Sequence, residues 1–74
     1  MQYTIELDRE EDGRWIAEIP QLPGVMVYGA TEAEAIKDVK ALALRVLADQ
    51  IEQSKQTPCE PTSVYIPCPR EKVA

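Results

Sequence analysis

Histidine is absent from these 74 residues, and cysteine occurs only twice. Without histidine a structural zinc site lacks its usual ligands, and two thiols alone do not complete one. The same lack removes the base that activates a nucleophile. Cys59 and Cys68 have no histidine beside them, and Ser54 and Ser63 have no base. The three glycines stand singly at turns, so there is no Gly-rich phosphate loop. No apolar run approaches the roughly 20 residues that span a bilayer. Gln2 to Leu7 alternates polar and apolar residues, unlike the continuous apolar stretch of an export signal. The expectations are a cytoplasmic protein with free thiols at Cys59 and Cys68, no cofactor, no metal and no membrane contact.

A surplus of positive charge is also missing. Thirteen acidic residues outweigh eight basic ones, for a net charge of -5. Lys37, Lys40 and Arg45 are interleaved with acids and apolar residues. Nucleic-acid-binding domains ordinarily present a basic patch, because neutralising phosphates drives their affinity. Direct nucleic-acid binding is therefore not expected, and a basic partner is the better electrostatic match. A chain this short buries only about 60% of its unfolded surface. Small domains commonly add disulfides, metals or oligomerisation. With the first two disfavoured, a homo-oligomer, dimer or tetramer, is expected.

What is present is a clear order of local signals. Tyr3, Ile5 and Leu7 alternate with Gln2, Thr4, Glu6 and Asp8, the period of a half-buried strand. Asp12-Gly13 closes a charged turn, since Gly accepts positive φ. The return strand runs from about Arg14 to Ile19, with Trp15, Ala17 and Ile19 on one face and Ile16 and Glu18 on the other. Pro20 ends it. Pro23-Gly24 fits the centre of a type II turn, and Val25 to Tyr28 forms a third strand. Thr31 caps a helix, with Glu34 placed to complete a capping box. That helix is expected from Glu32 to Ser54. Ala35, Ile36, Val39, Leu42, Ala43, Val46 and Leu47 form its apolar stripe, while Leu44 and Ile51 fall on its flank. Ser63 to Ile66 reads as a short edge strand closed by Pro67 and Pro69. The domain is placed at residues 1–68, with 69–74 as a frayed tail. The fold class is α+β, in the order β-β-β-α-β: an antiparallel sheet with one long helix on one face.

The run Asp12-Gly13 … Ile19-Pro20-Gln21-Leu22-Pro23-Gly24-Val25 … Gly29-Ala30-Thr31-Glu32-Ala33-Glu34-Ala35 resembles the HicB-type antitoxin domain. The likeness covers roughly Tyr3 to Ile66. It implies a partial ribonuclease-H-like fold and a protein that neutralises a small basic, RNA-cleaving HicA-type toxin. Full-length members commonly add a C-terminal DNA-binding module. Only eight residues follow Ile66, so this chain resembles the short members, and operator binding is not expected of it.

Trp15, Tyr28, Leu44, Ile51 and Tyr65 are the candidate partner or oligomer interface. Trp15 and Tyr28 also fit a packing role, since aromatic rings bury large areas, and both readings stay open. Two other functions compete with the antitoxin. One is a stand-alone oligomeric HicB-like domain with a non-toxin partner. The other is a minimal metal-dependent nuclease using Glu6, Asp8, Glu18, Glu34 and Asp38. Against it, these carboxylates fall at outward positions of strands and helix, where solvation explains them.

Overall fold

The computed structural model describes residues 2–53 and 63–69. The expected helix end at Ser54, the proline-rich stretch with Cys59, and the tail 70–74 lie outside the described residues. Three strands and one helix follow in order: β1 (Glu6–Arg9), β2 (Trp15–Glu18), β3 (Met26–Gly29) and α1 (Glu32–Gln53). The strands form an antiparallel sheet in the order β1-β2-β3. The α+β architecture legible in the sequence is the one observed.

β2 is one residue shorter at each end than expected, β3 is shifted by one residue so that Gly29 belongs to it, and two elements differ more. β1 begins at Glu6, not near Tyr3. Tyr3 and Ile5 are nevertheless buried, so the alternation marked which side chains turn inward, not which residues make ladder bonds. The last strand, expected over Ser63 to Ile66, is reduced to one parallel bridge between Gln2 and Tyr65. There the Tyr3 amide donates to the Tyr65 carbonyl at 2.9 Å. Pro67 and Pro69 have no amide hydrogen and cannot extend the ladder. Val64 and Ile66 still pack against the core.

Both turns follow from their glycines. Gly13 has φ 93°, and its amide donates to the Glu10 carbonyl. Glu10 in turn donates to the Arg14 carbonyl at 2.7 Å, so the hairpin loop is longer than a two-residue Asp-Gly turn. Gly24 has φ 84°, and the Val25 amide donates to the Leu22 carbonyl at 3.1 Å. Pro23 and Gly24 thus occupy the centre of a type II turn. α1 starts where Thr31 Oγ1 accepts from the Glu34 amide at 3.1 Å, satisfying one of the unpaired donors of a helix start.

The strand register sorts the side chains into two faces. Leu7, Ala17 and Val27 are cross-strand neighbours on one face, followed by Arg9, Trp15 and Gly29. α1 packs on this face, over β3 and β2. Ala35, Val39, Ala43 and Leu47 are its buried residues, and they meet Tyr3, Ile5, Ala17, Ile19, Leu22 and Val25 in one core. Gly29 sets the spacing. A methyl group there would stand 2.6 Å from the Ala35 nitrogen and 2.9 Å from its Cα. Strand and helix backbones approach so closely that no side chain fits between them.

Candidate partner-binding face

Among the described residues no helix covers the other face of the sheet. Its cross-strand rows are Glu6, Glu18 and Met26, then Asp8, Ile16 and Tyr28. Met26 and Tyr28 are each 47% exposed. Ile16 is half-buried beside them. Glu6, Asp8 and Glu18 are all exposed, and with Ile16 and Met26 they border a depression that reaches round to Leu7, Trp15, Glu32 and Pro69. The face therefore has an apolar strip along β3 and a carboxylate cluster over β1 and β2.

Glu6 and Glu18 sit directly opposite each other. Like charges in that position destabilise a sheet. Neither forms an ion pair among the described residues. Asp8 accepts a hydrogen bond from the neighbouring Arg9 amide, which leaves its negative charge uncompensated. Among the described residues Arg14 is the cation on this face, and it is already engaged. Its Nε donates to Asp12 Oδ2 at 2.7 Å, and its guanidinium lies 4.6 Å from the centre of the Tyr28 ring. The Arg14 amide also donates to Asp12 Oδ1. That backbone bond is the main reason the Asp12 carboxyl is held below the ordinary aspartate range, with the Arg14 guanidinium adding to it. Arg14 thus stiffens the rim beside Tyr28 without neutralising Glu6, Asp8 or Glu18.

The structure does not bring the five candidate interface residues together. Tyr28 lies on the open face. Trp15 lies on the covered face, half-buried at the start of β2, with the Arg9 guanidinium 5.6 Å from its ring centre. Leu44 and Ile51 are exposed on the outer side of α1, and Tyr65, 59% exposed, sits at the bridge to Gln2. Sequence reasoning missed Met26 and Ile16. The signal was available, because Met26 shares the strand alternation of Tyr28.

The proposed nuclease carboxylates do not converge. Glu6, Asp8 and Glu18 occupy the open face, whereas Glu34 and Asp38 belong to the helix packed on the opposite face. Among the described residues no group of three His, Cys, Asp or Glu side chains is placed to hold a metal ion. Cys68 is an exposed free thiol, and Lys40 Nζ donates to its Sγ at 3.4 Å. Among the described residues no helix is long and apolar enough to cross a membrane.

No family model matches the chain, and no solved structure matches it. It is similar to the UPF0150 protein Ta0767 of Thermoplasma acidophilum. The two are 30% identical over 56 residues, spanning 76% of this chain and 80% of the relative.

Proposed function

This chain belongs to the UPF0150 family, and we propose that it is a non-enzymatic, HicB-like antitoxin domain. Its partner is a small basic RNA-cleaving protein of the HicA type, which it neutralises by covering the surface that engages RNA. The observation that carries this reading is the open sheet face, where Ile16, Met26 and Tyr28 adjoin the uncompensated Glu6, Asp8 and Glu18. A toxin that grips RNA presents lysines and arginines. Docked on this face, those cations relieve the repulsion between Glu6 and Glu18, and the apolar strip supplies the buried centre that a stable interface needs. Opposite charges also accelerate encounter and select against acidic partners. β3 is an edge strand of the sheet, and among the described residues no strand pairs with its outer edge, so that edge can take up a strand from the partner.

RNA cleavage by a purified HicA-type toxin, with this chain titrated in, tests the reading. Protection should become complete near one chain per toxin. The triple variant Glu6→Gln, Asp8→Asn, Glu18→Gln should protect poorly at low salt. Cleavage that continues unchanged in excess wild-type chain contradicts the proposal.

A further inference from the structure

Two apolar stripes run along α1, and the fold uses one of them. Ala35, Val39, Ala43 and Leu47 are buried against the sheet. Ala41, Leu44, Ala48 and Ile51 form the second, at spacings of three, four and three residues. That is the repeat of a helix–helix seam. Leu44 is 53% exposed and Ile51 49%. A helix resting on a sheet ordinarily turns a charged side to solvent. This one keeps Lys37, Asp38, Arg45 and Asp49 in solvent but also exposes an apolar stripe beside them for about three turns.

The charges beside the stripe are ordered along it. Arg45 follows Leu44 and Glu52 follows Ile51, so both lie on the same edge, one heptad apart. Neither forms an ion pair among the described residues. An edge that is basic at one point and acidic a heptad later complements itself when a second helix runs the opposite way.

We propose that α1 packs antiparallel against the α1 of a second copy, about a two-fold axis level with Val46. In that register Leu44 meets Ala48 of the second copy, and Ile51 meets Ala41. Each layer then sets a large side chain against a small one, which fills the seam and lets the helices approach closely. Helical side chains lean toward their own N-terminus. In the antiparallel pair this tilts Arg45 and the second copy's Glu52 toward each other, while the two Arg45 side chains lean apart. A parallel pair stacks Leu44 on Leu44 and Ala48 on Ala48, leaving the alanine layers unfilled. The contact uses the same patch on both copies and closes at two. It lies on the exposed flank of α1, on the helix-covered side of the sheet, so the open sheet face stays free in both copies.

Analytical ultracentrifugation of the full chain tests it, from about 10 to about 500 µM because the seam is smaller than a standard interface. The wild type is expected to dimerise and Leu44→Glu to remain monomeric. Arg45→Glu and Glu52→Arg should each weaken the dimer about tenfold, and the double reversal should restore it to within about threefold. These side chains are exposed in the single chain, so circular dichroism and thermal melting of each variant distinguish dissociation from unfolding. A wild type that is monomeric throughout overturns the proposal. So does a dimer that Leu44→Glu leaves intact, or a double reversal no better than its parts.

Discussion

Gly29→Ala is the most revealing single change to this fold. Gly29 lies in β3 with no unusual φ, so its requirement for glycine is not conformational. The added methyl would meet the Ala35 nitrogen at 2.6 Å, its Cα at 2.9 Å and its Cβ at 3.0 Å. Two of these three atoms are backbone of the first turn of α1, which cannot rotate aside as a flexible side chain can. The helix must shift from β3, loosening the packing of Ala35 and Val39. Overpacking of this kind costs about 2–3 kcal/mol. For a domain this small that lowers the melting temperature by roughly 10–20 °C. Gly24→Ala is the control. There is nothing within 4 Å of its added methyl, but φ is 84°, so the cost is about 1–2 kcal/mol of backbone strain alone. Ala35→Gly in the Gly29→Ala background removes only the Cβ contact and should rescue little. Circular dichroism melts of the four proteins read all of this. A Gly29→Ala melt within about 2 °C of wild type would refute the reasoning, since a clash costing 2–3 kcal/mol cannot leave so small a shift.

Other outcomes follow from the same geometry. Thr31→Ala should lose about 1 kcal/mol by removing the Oγ1 acceptor for the Glu34 amide, and Thr31→Ser should retain most of it, as denaturant titration will show. Trp15→Ala should cost about 1.5–3 kcal/mol in the same titration, below the 3–5 of a fully buried aromatic, because the ring is only half-buried. Partner binding should survive that change, since Trp15 is on the helix-covered face. Asp12 is held below its ordinary range, so its contribution to stability is present above the unfolded-state value and is lost as pH falls through the lower folded value. Asp12→Asn should therefore flatten the acid limb of a plot of melting temperature against pH. The effect should be small because the pair is exposed to solvent.

The sequence carried the fold through its punctuation and its periods. Gly13, Pro23-Gly24 and Thr31 each encode a backbone event that depends on local chemistry, and each is found in place. The alternation in Trp15–Glu18 and the helical spacing from Ala35 to Leu47 fixed which side chains turn inward. The limits of β1 and the fate of Ser63 to Ile66 were harder to read, because a ladder depends on what lies beside a strand. Gly29 was legible only as a turn glycine, since its contact with Ala35 is tertiary. The open face was half legible. Glu6, Asp8 and Glu18 were recognised as outward-facing, and Tyr28 was singled out. Their assembly into one face required the register Glu6–Glu18–Met26, which no local signal states. Leu44 and Ile51 stood out as apolar residues off the core stripe, but the alternation with Ala41 and Ala48 gains meaning only once the core side of α1 is known.

Parallel affinity capture from the host cells tests the central claim most directly. The tagged wild-type chain and its Glu6→Gln, Asp8→Asn, Glu18→Gln variant are recovered at low salt, and bound proteins are identified by mass. A small basic protein should accompany the wild type in near-equal amount, be lost from the variant, and cleave RNA once separated. Recovery of no such protein, or its equal recovery with both chains, would contradict the assignment of the open sheet face as the neutralising surface.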